Sequence, residues 1–325
     1  MTPESVVPIA ATYRNDILES VHHGVMVILD RQGNVDVAIG DCQTAIFPRS
    51  SLKPLQAFAM IRQGLELPDE SMALVCASHN GTALHRSGVQ KILQRAGLNE
   101  SHLANTPDLP LGQNEAEEIL RSGGTRTSVQ QNCSGKHAGM LATCQLQGWP
   151  TDTSYLAKDH PLQQQITSGI EFLAGEKVSA IGVDGCGAPT HAVSLMGLAR
   201  AFRYLAMSDD AAARTVHRAM TSFPEMVGGP GHVTSRLMQS VPGLMAKDGA
   251  EGVFAMAFPD GRSMALKVAD GANRARPPLV RAALERMRVD VDLIDDEIFE
   301  SVVLGHGQRV GEVRIVGDVA TLREH

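Results

Sequence analysis

Apolar and polar positions alternate in recognisable blocks along the chain. Residues 24–30 and 35–40 are rich in Val, Ile and Met and flank a polar Arg31-Gln32-Gly33-Asn34 turn, a pattern that predicts a β-hairpin. From residue 51 to 61 the period changes, and Leu52, Leu55, Phe58 and Ala59 recur with helical spacing. An apolar run beginning at residue 72 ends abruptly in Ser78-His79-Asn80-Gly81, a polar loop on a buried support. Helices are predicted over 82–96, 113–121, 161–173, 191–206 and 209–222, with glycines after several of them. Residues 178–184 read as a strand leading into Gly185-Cys186-Gly187, and 224–232 as a Gly/Pro-rich loop. A second hairpin, 252–258 with 263–269, turns at Pro259-Asp260-Gly261. Helices near 278–288 and 293–304 and a strand near 313–316 complete the pattern.

Hairpins near both ends with helices between them predict an α+β fold. One antiparallel sheet is built from the N- and C-terminal hairpins, with a helical region inserted in its middle. The expected division of this single domain is a sheet part at about 1–48 and 243–325 and a helical part at about 49–242.

Composition narrows the function. A chain of 325 residues that is 43% apolar can bury a large core. No apolar run reaches 18 residues, and the first residues lack a basic segment followed by an apolar one, so a cytoplasmic location and no membrane partner are expected. Five cysteines fit reduced thiols better than a disulfide framework. A net charge of −7 and 4% aromatic residues speak against nucleic-acid binding, leaving a small-molecule substrate as the expected partner. Of 29 basic residues only seven are lysines, the type that can act as a neutral base when buried.

One lysine, Lys53, lies three residues after Ser50, about one helical turn, so its amine could activate the hydroxyl. Chance alone places Ser-x-x-Lys about 0.45 times in a chain of this composition, so the pair needs partners. Ser78-His79-Asn80 and Lys247-Asp248-Gly249 follow in the order of the Ser-Asp-Asn and Lys-Thr-Gly elements of serine β-lactamases and penicillin-binding proteins, each differing at the middle residue. Cys133 and Cys186, both on polar Gly-containing loops, could make half of a zinc site, with His137 the third ligand by residue type.

Five blocks in order, Arg49-Ser50-Ser51-x-Lys53-Pro54, Cys76-Ala77-Ser78-His79, the Asn132 to Met140 loop, Asp184 to Pro189, and Lys247-x-Gly249-Ala250-Glu251-Gly252, resemble the asparaginase II family of rhizobial type. The resemblance implies hydrolysis of L-asparagine to L-aspartate and ammonia, a serine β-lactamase/glutaminase-like fold and a homodimer. It implies two Ser-Lys tandems, Ser50 with Lys53 and Ser78 with Lys247, with Lys267 the alternative second lysine. It also implies a Zn2+ site on Cys133, Lys136 and Cys186, beside Asp184, that aids substrate binding and does not generate the nucleophile.

Amide hydrolysis by covalent catalysis needs a nucleophile, a base, oxyanion donors and a proton for the departing ammonia. Ser50 is the expected nucleophile, Lys53 its base, and Ser78 with Lys247 a relay towards the leaving group. Helical geometry favours Ser50 over the adjacent Ser51. Arg49 is a candidate for the substrate α-carboxylate or, equally, a structural clamp, and Asn80, Asp184 and the Gly228-Gly229 loop are candidates for other contacts. Two alternatives stand beside this reading: a β-lactamase or D-Ala-peptidase-like hydrolase, and a zinc-dependent binding or regulatory protein in which Ser50 only caps a helix.

Overall fold

The computed structural model describes residues 1–324. Its main sheet has eight strands, seven of them in the order β10-β11-β1-β2-β9-β8-β7, with β3 paired to β2. These are β1 (Val7–Arg14), β2 (Ile17–Leu29), β3 (Val35–Ile39), β7 (Met245–Gly249), β8 (Val253–Ala257), β9 (Ser263–Val268), β10 (Val302–Gly305) and β11 (Gln308–Ile315). All pairings in this sheet are antiparallel. A small second sheet, β4 (Ala45–Ile46), β6 (Pro189–Ser194) and β5 (Ala180–Val183), lies in the order β4-β6-β5. The α+β class read from the two hairpins is therefore the observed one.

Between the halves of the main sheet run α1 (Lys53–Arg62), α2 (Asp69–Val75), α3 (Ala83–Arg95), α4 (Gln113–Arg121), α5 (Ser134–Gln147), α6 (Pro161–Ala174), α7 (Leu195–Met207), α8 (Ala211–Ser222), α9 (Pro224–Val227) and α10 (Val233–Ser240). A last helix, α11 (Arg276–Arg286), precedes β10. β8 and β9 are buried at every position, and α7 packs across β2, β8 and β9. A strand covered on both faces has no reason to alternate, which explains its continuous apolar sequence.

Several segments differ from the sequence reading, among them Pro224–Val227, read as part of a Gly/Pro-rich loop and observed as a short helix, and Val233–Ser240, a helix where no element was read. The helix expected over 293–304 is two short 3-10 turns, Val291–Leu293 and Asp296–Ile298, followed by β10. Asp290 and Asp295 each cap such a turn by accepting a backbone N–H, which stops a continuous helix from forming. The helix expected from residue 191 begins at Leu195, because Pro189–Ser194 forms β6 and Ser194 caps the helix through Gly197 N. Residues 7–14, which carried no predicted element, form β1 beside the lengthened β2.

Helix α5 is buried from Ser134 to Cys144, as expected of a central helix. Its first turn crosses the end of α2 at Gly135, where a Cβ would overlap the Leu74 carbonyl. A second close approach involves Gly249 at the end of β7, where a Cβ would overlap the Pro48 carbonyl and press on Ser51 Oγ. These two glycines let α5 and β7 converge on the short turn that carries Ser50.

Candidate active site

Ser50 lies in a 3-10 turn, Arg49–Leu52, that runs directly into α1, and the Lys53 N–H donates to the Ser50 carbonyl. Arg49 enters this turn with φ +54°, a left-handed conformation that a non-glycine residue adopts at a cost of about 1 kcal/mol or more. Its guanidinium is held by Asp184 Oδ1, at 2.8 Å from Nε and 2.6 Å from Nη2. This ion pair ties the loop after β5 to the Ser50 turn. Arg49 and Asp184, both candidates for substrate contact, thus neutralise one another.

The two adjacent serines have different surroundings. Ser51 is fully buried, and its hydroxyl donates to the Lys247 carbonyl at 3.1 Å. Ser50 is partly exposed, and its hydroxyl has no hydrogen-bond partner among the described residues. Ser51 is therefore committed to the packing of β7, and Ser50 is the hydroxyl available to a substrate.

Lys53 is almost wholly buried at 1% exposure, and its Nζ donates to the Ala77 carbonyl at 2.5 Å and to Ser78 Oγ at 3.0 Å. The carbonyl lies just past the C-terminal end of α2, a position that attracts a cation. The backbone of the Ser78 segment is fixed by Ser78 N–H to the Val227 carbonyl at 2.9 Å and His79 N–H to the Asn132 carbonyl at 3.2 Å. Asn80 continues the pairing with its N–H on the Gly228 carbonyl at 2.7 Å, and its side chain packs against Gly229. The Ser50, Ser78, Asn132 and Gly228-Gly229 segments are thereby brought to one place.

The second lysine departs from the expected tandem. Lys247 Nζ donates to the carbonyl and to Oδ1 of Asp248, both at 2.8 Å, and the recorded partner of Ser78 is Lys53. Burial lowers the pKa of Lys247, while Asp248 opposes that shift and the Lys53 charge adds to it. Burial alone would raise Asp248, but Lys247, His232 and Arg276 hold it well below the usual carboxylate range. Lys267, the alternative, is spent on the β7–β8 turn and the end of β9 through the Glu251 and Val268 carbonyls, at 2.5 and 2.7 Å. Sequence reasoning did not single out Asp248 as a partner, although it stands next to Lys247. Arg276, at 4.0 Å from Asp248, carries no local signal because only tertiary folding brings it there.

Cys133, Lys136 and Cys186 form a separate buried cluster. Lys136 Nζ lies 3.2 Å from Cys186 Sγ, and Cys133 Sγ lies 3.2 Å from Asn132 Oδ1. A hydrogen bond from Cys133 together with the Lys136 charge lowers Cys186 to about 4 against the cost of burial, and the same shared proton with burial raises Cys133 to about 12. Burial pushes the Asp184 carboxyl up, but Lys136 and Arg49 outweigh it and leave it below its ordinary value. His137, the third ligand suggested by residue type, turns away, with Nδ1 2.8 Å from the Tyr155 hydroxyl. Among the described residues no group of three or more His, Cys, Asp and Glu could hold a metal ion. Two sulfurs and an amine in contact do supply three soft-to-borderline donors of the kind zinc accepts, provided both thiols and the amine lose their protons.

Residues 10–315 match the family described as L-asparaginase II. The chain belongs to that family. No curated protein matches it. Among solved structures it is similar to Mglu in its native form, at 15% identity and a TM-score of 0.45, covering 82% of this chain and 65% of that one. It is also similar to a β-lactamase from Mycobacterium bovis, at 15% identity and a TM-score of 0.44, covering 77% of this chain and 88% of that one. A third is EstCE1, described as a hydrolase with promiscuous acyltransferase activity, at 12% identity and a TM-score of 0.41, covering 78% of this chain and 91% of that one. This L-asparaginase II family chain thus spans 65% of the length of Mglu. No helix among its described residues is long and apolar enough to cross a membrane.

Proposed function

We propose that the protein is an amidohydrolase that converts L-asparagine to L-aspartate and ammonia through an acyl-enzyme on Ser50. The observation that carries this reading is the partly exposed, unpartnered Ser50 hydroxyl one turn from the buried Lys53–Ser78 pair, in a chain of the L-asparaginase II family.

Ser50 Oγ attacks the side-chain carboxamide carbon, and its proton passes to the Lys53 amine. The Ser50 N–H, in the first turn of its 3-10 segment where backbone donors lack a helical acceptor, contributes to holding the oxyanion. The C–N bond then breaks, and the proton passes from Lys53 through the Ser78 hydroxyl to the leaving nitrogen, which departs as ammonia. Water hydrolyses the aspartyl ester by the reverse proton route and restores Ser50. Lys247, fixed by Asp248, places a second buried amine close to the Lys53–Ser78 pair. Asn80 and the Gly228-Gly229 loop line the approach to Ser78, and the Arg49–Asp184 pair orients the turn that presents Ser50.

The proposal includes zinc held by Cys133 and Cys186 as thiolates and Lys136 as a free amine. When bound, it would supply a fixed positive centre that aids substrate binding. It further includes a homodimer and a cytoplasmic location. Ammonia release from L-asparagine by the parent and by Ser50→Ala tests the reading: the parent is active and the variant is not. Equal activity of the two contradicts it.

A further inference from the structure

We propose a second ligand site, for a small apolar monocarboxylate, in the cavity between α10, β8 and α11. The cavity encloses about 460 Å3, and Val233, Leu237, Phe254, Val280 and Ile298 form apolar walls around Arg276. That volume falls within the range that holds small molecules. In the antiparallel β7–β8 pair, Asp248 stands opposite Phe254 and Lys247 opposite Ala255. Register partners project from the same face of a sheet, so the cavity lies on the Asp248 side of β7 and not on the Lys247 side.

Charge at the base of the cavity points to an anion. The Arg276 side chain is 18% exposed, and its nearest carboxylate is Asp248 Oδ2 at 4.0 Å. Asp248 Oδ1 is already taken by Lys247 at 2.8 Å and by the Thr234 hydroxyl at 3.2 Å. Arg276 Nη1 donates to the Gly249 and Val253 carbonyls at 3.3 and 3.1 Å, whereas Nε and Nη2 have no hydrogen-bond partner among the described residues. One carboxylate therefore serves two cations, and the unused donors of a largely buried guanidinium line an apolar cavity. A guanidinium fork matches a carboxylate in shape and charge, and the apolar walls accept an aliphatic tail, while His232, Asn273 and Arg274 also line the cavity. The class of ligand is thus a short fatty or branched-chain acid, and a zwitterionic amino acid is disfavoured.

The probes are hexanoate and its uncharged analogue hexanamide, titrated calorimetrically into the whole protein. Hexanoate is expected to bind saturably, with hexanamide at least about tenfold weaker. Arg276→Gln and the cavity-filling Val280→Trp, each checked for native circular dichroism, are each expected to weaken hexanoate by about tenfold or more. Absence of saturable hexanoate binding, equal binding of the amide, or full affinity in a folded Val280→Trp protein would overturn the site. Where a variant does not fold, the acid-to-amide comparison on the parent decides. The readout is binding alone, so it is independent of whether the protein hydrolyses asparagine.

Discussion

Lys53 Nζ donates to Ser78 Oγ at 3.0 Å, joining the base expected for Ser50 to the serine expected to belong to Lys247. The two proposed tandems are thus linked by one buried amine, which in the proposed mechanism takes a proton from Ser50 and hands it to Ser78. Replacing Lys53 by Met, which keeps the apolar stem, is expected to lower kcat for asparagine by about 10^3-fold or more with a small change in KM. Stopped-time ammonia assays on folded protein check this, and a variant within tenfold of the parent contradicts the assignment.

Ser78→Ala removes the hydroxyl but leaves the backbone anchors of its segment in place. The expected result is a fall in kcat of about 10^2-fold, most marked with substrates whose leaving amine must be protonated before it can depart. A comparison of L-asparagine with its hydroxamate, whose leaving group needs less protonation, reads this directly. Equal losses on both substrates would remove Ser78 from the proton route.

Ser50 and Ser51 are expected to separate cleanly. Ser51→Ala loses the bond to the Lys247 carbonyl and with it about 1 kcal/mol of stability, measurable by urea unfolding, while activity stays within a few-fold. Ser50→Ala keeps its stability and loses its activity. The reverse pattern would make Ser51 the nucleophile.

Much of this arrangement was legible in the sequence because it is local. The Ser50–Lys53 spacing, the two hairpins and the polar loops ending buried segments each announce themselves within about ten residues. What was not legible depends on folding at a distance. Lys247 and Asp248 are neighbours in sequence, yet that Asp248 would take up the amine follows from edge strand β7 meeting Arg276 and Thr234. Arg49 read equally as a cation for the substrate carboxylate and as a structural clamp, because its counter-ion, Asp184, lies 135 residues away. The segment after α11 read as a helix because apolar spacing outweighed two capping aspartates, Asp290 and Asp295.

The zinc proposal predicts about one zinc per chain in protein purified without chelator, by elemental analysis. Cys186→Ser removes the thiol most readily ionised in the cluster and is expected to abolish zinc content and raise KM for asparagine by about tenfold or more, with a smaller effect on kcat. Metal-free protein with an unchanged KM would contradict the role assigned to the cluster.

Buried neutral histidines set an acid limit on stability. Burial, with the Lys136 charge, lowers His191 to about 4, and burial also holds His79 well below its ordinary value. In the unfolded chain both titrate near 6.5, so below that pH the unfolded state binds more protons and stability falls as pH falls. His191 alone accounts for a loss of about 3 kcal/mol between roughly pH 6.5 and 4. Urea unfolding across this window should show His191→Gln with a shallower slope than the parent, by up to about 1.4 kcal/mol per pH unit. An identical slope would contradict the assignment of a neutral His191.

The proposed mechanism passes through a covalent aspartyl intermediate on Ser50. Acid quenching during steady turnover of L-asparagine, followed by peptide mass spectrometry, should find the peptide spanning Arg49 to Lys53 heavier by one aspartyl group, with fragmentation placing it on Ser50 and none on Ser50→Ala. An aspartyl group on Ser78 or on another residue, or a Ser50→Ala protein that still releases ammonia, would contradict the account.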